Sequence, residues 1–182
     1  MGQGNGQSGA AVATVETAAQ PGKYLTFKLA DEEYGLEILK VQEIIGMLKV
    51  THVPRLPAHV RGVVNLRGKI IPVIDLRLKF GLPAKEDSAR TCIVVVQVNR
   101  QGTRLIIGVL VDDVSEVLNV AANQIEPPPA FDAAVDTEFL LGMGKVGQKV
   151  VMLLDINRVL GRDELTIPIE SAAKHATEEA KL

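Results

Sequence analysis

The stretch that decides the fold is Gly62-Val63-Val64-Asn65-Leu66-Arg67-Gly68-Lys69-Ile70-Ile71-Pro72-Val73-Ile74-Asp75-Leu76-Arg77-Leu78-Lys79-Phe80-Gly81. Two β-rich runs, 62–66 and 69–75, are joined by Arg67-Gly68. A two-residue connection that ends in glycine favours a tight hairpin, because glycine adopts positive φ at no steric cost. The pattern places Arg67 at the hairpin tip, in solvent. Asp75 is a candidate N-cap for one short helical turn after the second strand.

The same arrangement occurs a second time further along the chain. Residues 142–161 repeat the Gly, Lys, Asp and Gly positions of the first stretch at an offset of 80. Upstream, residues 108–127 repeat residues 35–54 at an offset of 73. The offset grows by seven (80 − 73) because the second copy has a longer connection around 127–138. Two offsets that each hold over many positions indicate an internal duplication.

The composition favours strands over helices. Val and Ile dominate the apolar residues, whereas aromatic residues make up only 3% of the chain and Trp is absent. Short β-rich segments alternate with Gly- and Pro-rich turns, about five to each copy. The sequence therefore predicts an all-β protein of two small five-stranded barrels with short helical turns. Closed barrels would remove the sheet edges that such apolar strands otherwise expose.

The same pattern divides the chain into four segments. They are a disordered tail over 1–22, a first barrel over 23–88, a second barrel over 89–166 and a flexible or helical C-terminal tail over 167–182. The first strand of a duplicated pair can also cross over to complete the other barrel. The boundary near residue 88 therefore stays open.

The residues with reactive side chains form no pattern typical of catalysis. His52, His59 and His175 lack the spacing of a zinc site, and Cys92 is the only cysteine. We therefore predict no catalytic residues, no metal site and no cofactor. The chain also lacks an apolar run long enough to span a membrane and a signal-peptide pattern, which predicts a cytoplasmic protein without direct membrane insertion.

Binding of single-stranded nucleic acid is the alternative that small barrels leave open. The first copy carries a local excess of basic residues, namely Arg61, Arg67, Lys69, Arg77, Lys79 and Arg90. Base stacking, however, needs exposed aromatic rings. Most of the six aromatic residues occupy strand or helix positions that favour burial, and the net charge of the chain is −2. No nucleic-acid partner is therefore predicted.

The two copies differ at their hairpin tips. Arg67-Gly68 has no charged equivalent, because the second tip falls at Gly147-Gln148. An arginine required for folding would be expected in both copies. An exposed arginine in one copy is better explained by recognition of a partner, since its guanidinium pairs with carboxylates and carbonyls. The residues alone thus favour a binding adaptor.

The segments that carry a resemblance to a known family are Tyr34-Gly35-Leu36-Glu37-Ile38-Leu39-Lys40-Val41-Gln42-Glu43-Ile44, Pro54-Arg55-Leu56-Pro57, Gly62-Val63-Val64-Asn65-Leu66-Arg67-Gly68 and Ile71-Pro72-Val73-Ile74-Asp75-Leu76-Arg77. Together with 108–118 and 153–160, they resemble the CheW family of bacterial chemotaxis coupling proteins across residues 23–165. The resemblance implies two five-stranded SH3-like barrels. It also implies a non-catalytic scaffold that joins the cytoplasmic tips of methyl-accepting chemoreceptors to the histidine kinase CheA, and hence a cytoplasmic protein recruited to chemoreceptor arrays.

The resemblance also implies two partner-binding surfaces. Carried over by position, the receptor-binding residues, in a groove between the barrels, are Val41, Glu43, Gly62, Asn65, Arg67 and Gly68. The kinase contact is expected at an apolar barrel end formed by Ile44, Ile45 and Met47. Ile44 and Ile45 are adjacent in a predicted strand, so they point to opposite faces. Either the fold covers both faces, or one of them is an exposed patch for a partner.

Overall fold

The computed structural model describes residues 19–129 and 137–160, and these form mainly β-strands. The strands are β1 (Gly22–Leu29), β2 (Glu32–Glu37), β3 (Val41–Gly46), β4 (Val60–Leu66), β5 (Lys69–Asp75), β6 (Cys92–Arg100), β7 (Thr103–Val111), β8 (Asp113–Val120), β9 (Ile125–Glu126), β10 (Leu140–Val146) and β11 (Lys149–Leu154). Two single helical turns, α1 (Leu76–Lys79) and α2 (Ile156–Val159), follow β5 and β11. Short 3₁₀ turns span Ile38–Lys40 and Ala122–Gln124. The predicted all-β class with short helical turns is confirmed.

The strands form two sheets. Sheet I has the order β8-β1-β2-β11-β10-β9 and sheet II has the order β3-β6-β7-β5-β4. Two sheets of this size confirm the predicted pair of small β units, with one strand more than expected. The sixth strand of sheet I is the two-residue β9, which pairs with β10 through Glu126 and Ile125.

Each sheet combines strands from both copies of the repeat. In sheet II, β5 runs parallel to β7, with Val73 opposite Gly108. In sheet I, β11 runs parallel to β2, with Leu153 opposite Gly35. These two pairs are equivalent under the offsets of 80 and 73, so the copies have exchanged their first hairpins. The boundary near residue 88 therefore separates the sequence copies but not the sheets, because segments 23–88 and 89–166 both contribute strands to each sheet.

The predicted central hairpin is confirmed in detail. Leu66 pairs with Lys69 across the turn, and the two turn residues have positive φ, 51° at Arg67 and 85° at Gly68. Two consecutive residues with positive φ are typical of the type I′ turn, whose twist matches that of a hairpin. The side-chain Oδ1 of Asn65 accepts a hydrogen bond from the backbone N of Gly68 at 2.8 Å, which holds the turn closed.

The two helical turns show the duplication most clearly. The carboxylate of Asp75 accepts a hydrogen bond from the backbone N of Arg77 at 3.0 Å, and that of Asp155 accepts one from Asn157 at 3.0 Å. Both aspartates are therefore N-caps, as the sequence predicted. Gly81, with φ of 72°, follows the first turn in the left-handed conformation that ends helices.

The buried apolar residues form three clusters. The central cluster draws on both sheets and packs between them; it comprises Leu25, Phe27, Leu29, Tyr34, Leu36, Val60, Ile74, Leu76, Val94, Val96, Val98, Ile107, Val109, Val111, Leu154, Ile156, Val159 and Leu160. The sheet I cluster comprises Ala19, Tyr24, Val120, Leu141, Val151 and Leu153. The sheet II cluster comprises Val64, Ile71, Val73, Ile93, Val95 and Leu110. Each sheet therefore encloses an apolar core of its own and shares a third.

Strand β1 is buried on both of its faces. Even the polar residue Thr26 is fully buried there. The reason is that β1 lies between β2 and β8, with the central cluster on one face and the sheet I cluster on the other. The Thr26 hydroxyl satisfies its hydrogen-bonding capacity there by donating to the carbonyl of Glu116 at 2.9 Å.

The predicted N-terminal tail over 1–22 is shorter than expected at its C-terminal end. Ala19 is buried in the sheet I cluster, and the Tyr24 hydroxyl donates to the carbonyl of Gln20 at 2.6 Å. Residues 19–22 therefore belong to the folded part of the chain. Residues 1–18 and the predicted C-terminal tail over 167–182 lie outside the described residues.

Burial of the two tyrosines makes a testable prediction. Burial, followed by the negative charge of Glu37, raises the pKa of Tyr24 to about 12, and burial also raises the pKa of Tyr34. Because folding favours the neutral phenols, this contribution to stability is complete below the unfolded pKa of about 10. It is lost as the pH rises through the folded pKa values.

We therefore expect the phenolate absorbance of the native protein to rise above pH 10, and that of the urea-unfolded protein to rise near pH 10. The chain has two tyrosines and no tryptophan, so the signal reports these two residues alone. Coincident native and unfolded titrations would contradict the burial described here.

Candidate functional site

The tip of the β4–β5 hairpin presents an exposed ion pair. The Arg67 side chain is 72% exposed, and its Nη2 contacts the Oε1 of Glu43 in β3. Strands β3 and β4 are the two edges of sheet II. The ion pair therefore joins the two edges at one end of the sheet. It also orients the guanidinium, which would otherwise move freely on a hairpin tip.

Gly62 closes the same sheet further from the tip. The backbone N and O of Thr51 form hydrogen bonds of 2.8 and 2.9 Å with Val63 of β4, so the chain that follows β3 pairs with β4. Gly62 has a φ of 137°, and a Cβ at this position would lie 2.0 Å from the carbonyl oxygen of Thr51. Glycine is needed there because the two backbones approach too closely for any side chain.

The structure brings together four of the six residues assigned to the receptor-binding surface. Glu43 and Arg67 pair directly, while Asn65 and Gly68 build the turn that carries Arg67. Val41 is half-buried at the start of β3 and packs against the central cluster. Gly62 is buried and has the structural role just described. The binding role of all six residues stays a prediction.

The second hairpin tip carries a different set of charges. Gly147 occupies its left-handed position with φ of 63°, and no arginine stands at the tip. Lys149 reaches Glu33 at 3.4 Å, and Lys145 reaches Glu126 at 2.5 Å. These lysines lie on the strands beside the turn. The exposed tip arginine is thus particular to sheet II.

The residues expected at the kinase contact do not share one surface. Ile44 is 44% exposed on β3. Ile45 and Met47 are half-buried and pack against the sheet II cluster. Two further apolar residues close in sequence are also exposed, Leu39 at 92% and Leu48 at 38%. Of the three residues expected at the kinase contact, only Ile44 is exposed. The sequence did not distinguish Ile44 from Ile45, because they are adjacent apolar residues of one strand.

The basic residues of the first copy are largely neutralised within the protein. Arg61 binds the carboxylate of Asp87 at 2.7 Å, and Arg90 reaches Asp113 at 3.2 Å. Arg77 forms an ion pair with Asp112 in which both side chains are mostly buried. Four aromatic rings stack on one another in or against the central cluster; they are Phe27, Tyr34, Phe80 and Phe139. Rings packed in this way are not accessible for base stacking. The nucleic-acid alternative is accordingly not favoured.

The described residues offer neither a metal centre nor a membrane-spanning helix. Across 19–129 and 137–160, no three His, Cys, Asp or Glu side chains come together in a group that could hold a metal ion. In the same part of the chain, no helix has the length and apolar character needed to cross a bilayer.

Comparison with known proteins gives a consistent result. The family model described as CheW-like domain matches residues 23–164. A protein of Klebsiella aerogenes named chemotaxis protein CheW is 39% identical over 160 residues, which cover 88% of this chain and 93% of that protein. The chemotaxis protein CheW of Rhizobium meliloti is 32% identical over 77% of this chain and 88% of its own length. The crystal structure of the scaffolding protein TtCheW from Thermoanaerobacter tengcongensis superposes with a TM-score of 0.70 at 36% identity, over 80% of this chain and 96% of that one.

Proposed function

The chain belongs to the CheW-like domain family, and on this basis we propose that it is a non-catalytic scaffold of bacterial chemotaxis. It couples the cytoplasmic tips of methyl-accepting chemoreceptors to the histidine kinase CheA. The solved relative is itself named a scaffolding protein, and the curated relatives are named chemotaxis proteins. The duplicated fold suits this role, because two β units offer separate surfaces within one chain.

The observation that carries the receptor half of the proposal is the exposed guanidinium of Arg67. Its φ of 51° is not special to it, because Ala30, Arg55 and Gln101 also have positive φ. A cation that is 72% exposed at a hairpin tip, and that Glu43 holds in place, is best explained by a contact made outside the chain. Its guanidinium would donate to carboxylates or carbonyls of the receptor helices.

The kinase half of the proposal rests on Ile44. Ile44 lies directly after Glu43 in β3, so their side chains point to opposite faces of the strand. A partner bound at Arg67 and Glu43 would therefore leave Ile44 accessible. Exposed Ile44, with Leu48 nearby, gives the kinase an apolar contact that is separate from the receptor contact.

Two substitutions in β3 test this assignment. Ile44→Asp should leave the fold intact, because the side chain is substantially exposed, and it should weaken kinase binding about tenfold or more. Ile45→Asp should instead unfold the protein, because it would place a charge against the sheet II cluster. The thermal midpoint and the kinase affinity are measured for both. If Ile44→Asp binds the kinase as tightly as wild type, the kinase contact lies elsewhere.

The proposed function as a whole is tested by binding and phosphorylation assays on the intact chain. We expect the protein to bind a receptor signalling-tip fragment and the kinase, each in the absence of the other. Incubation with autophosphorylated kinase should leave the chain unphosphorylated. A stoichiometric phosphoryl group on the chain, or failure to bind both partners, would refute the scaffold.

A further inference from the structure

One end of sheet II collects basic residues that are far apart in the sequence. Strands β5 and β7 are parallel, β4 is antiparallel to β5, and β6 is antiparallel to β7. The starts of β5 and β7 therefore lie beside the ends of β4 and β6. Strand β3 is antiparallel to β6, which brings its start to the same end. We call this the basic end; its residues are Lys40, Arg67, Lys69, Arg100 and Arg104.

The charges of the basic end are largely uncompensated. Arg67 pairs with Glu43. Among the described residues, no carboxylate forms an ion pair with any of the other four. Lys69 and Arg104 are exposed. Each stands four residues before the paired residues Val73 and Gly108, at the starts of neighbouring parallel strands.

Acidic residues near this end do not balance it. Glu37 lies just before the 3₁₀ turn Ile38–Lys40. The helical turn α2 lies near this end, because Asn157 accepts a hydrogen bond from the backbone N of Asn99 at 3.2 Å. Its N-cap Asp155 pairs with Arg158 at 3.5 Å, so those two charges offset each other. Counting the described residues alone, the basic end therefore has a net positive charge, in a chain whose formal net charge is −2.

The opposite end of sheet II is built differently. There, basic residues have acidic partners, as in the pairs Arg61–Asp87 and Arg77–Asp112. Two exposed lysines, Lys28 and Lys85, also lie at that end. The carbonyl of Lys28 accepts a hydrogen bond from the backbone N of Asp112. Lys85 is two residues after Pro83, and the carbonyl of Pro83 accepts a hydrogen bond from the Arg77 side chain. Arg61 and Arg77 at that end thus have acidic partners, whereas among the described residues of the basic end only Arg67 has one.

We propose that the basic end is a binding surface for an acidic protein segment, in which Lys69 and Arg104 extend the contact made by Arg67. This proposal rests on the proposed function, because Arg67 belongs to both surfaces. It adds the chemistry of the partner: a carboxylate-rich face on the segment that meets the hairpin tip. Complementary charge of this kind speeds encounter and fixes the orientation of the bound partner.

An acidic protein fits this surface better than a nucleic acid does. A single-stranded nucleic acid gains most of its binding energy from stacking on aromatic rings as well as from phosphate contacts. Among the described residues that the strand order places at this end, Asn65, Gln97 and Asn99 carry amide side chains and none is aromatic. Amides and guanidinium groups hydrogen-bond carboxylates readily.

The experiment compares two double variants with equal changes in net charge. Lys69→Glu/Arg104→Glu reverses two cations of the basic end, and Lys28→Glu/Lys85→Glu reverses two exposed lysines at the opposite end. Five probes are used: a receptor signalling-tip fragment, a glutamate-rich peptide, the same peptide with every Glu replaced by Gln, an oligothymidine, and phosphatidylserine vesicles. Affinities are measured between about 50 and about 300 mM salt, a range over which screening of exposed charges increases strongly. Thermal midpoints confirm that both variants are folded.

We expect the first variant to bind the tip fragment and the acidic peptide about tenfold more weakly at low salt, with a flatter salt dependence. The second variant should stay within about twofold of wild type. The glutamine peptide should bind neither the wild type nor the two variants. Equal affinities of the two variants for the tip fragment would contradict the proposal that the basic end binds an acidic segment, and would leave the proposed function intact.

The remaining outcomes separate the two proposals. If wild type fails to bind the tip fragment, the proposed function fails. In that case, the proposal for the basic end is kept only if the acidic peptide still binds the first variant more weakly than the second. Tighter binding of an oligothymidine or of phosphatidylserine vesicles than of the acidic peptide, lost in the first variant, would assign the surface to a different partner and overturn the proposal.

Discussion

Replacing Gly62 with alanine should reduce the free energy of unfolding by about 3 kcal/mol or more, which is a large part of the roughly 5–15 kcal/mol by which an ordinary protein is stable. The new Cβ would lie 2.0 Å from the carbonyl oxygen of Thr51, a backbone atom that cannot move without breaking the closure of sheet II. The φ of 137° adds a conformational penalty. Both costs fall on the folded state alone.

Gly68→Ala is the matched control for this change. Gly68 also has positive φ, 85°, but a Cβ added there would have no atom within 4 Å. Only the conformational cost remains, about 1–2 kcal/mol. Urea denaturation of both variants gives the comparison. Similar losses of stability in the two variants would show that the approach of Thr51 to Gly62 does not hold the sheet closed.

Arg67→Glu should have the largest effect on partner binding. The fold should survive, because Arg67 is 72% exposed and an exposed ion pair contributes at most about 1 kcal/mol. Receptor affinity should fall at least about thirtyfold, since a central arginine contact commonly contributes about 2 kcal/mol or more. The substitution also places a second carboxylate beside Glu43. Kinase affinity should be unchanged, because Ile44 faces the other side of β3.

Arg67→Asn separates the binding role of Arg67 from its structural cost. Asn before Gly is the preferred pair in a type I′ turn, so stability should be maintained or rise by up to about 1 kcal/mol. Receptor binding should still weaken. Unfolding midpoint, receptor affinity and kinase affinity are measured on one preparation of each variant. A loss of both affinities in a folded Arg67→Glu protein would show that the partner surfaces are not separate.

Features determined by local sequence were predictable. The Arg67-Gly68 turn and the aspartate caps at Asp75 and Asp155 depend on residues within a few positions of one another. The duplication was also visible, because equivalent local features recur at constant offsets. The exposed position of Arg67 followed from the turn alone, and its lack of a counterpart at Gly147 followed from comparing the copies.

Features determined by distant chain segments were not predictable from the residues. The sequence left open a crossover of the first strand, but the exchange of whole hairpins depends on parallel pairs such as Val73 with Gly108, which no local pattern encodes. The burial of Thr26 depends on β8, some ninety residues away. Gly62 has the same sequence signature as a turn glycine, and only the approach of Thr51 shows its role in closure. The basic end likewise needs the strand order before Lys69 and Arg104 become neighbours.

The most direct test of the scaffold measures how much kinase is retained on immobilised receptor tips as this protein is titrated. A bridge that binds both partners at separate sites must retain kinase in proportion to its own concentration at first. In excess it must release kinase, because separate copies then occupy receptor and kinase. We expect this rise and fall for wild type, and little retention for Arg67→Glu at any concentration. Retention that is independent of the protein, or equal retention with Arg67→Glu, would contradict the scaffold.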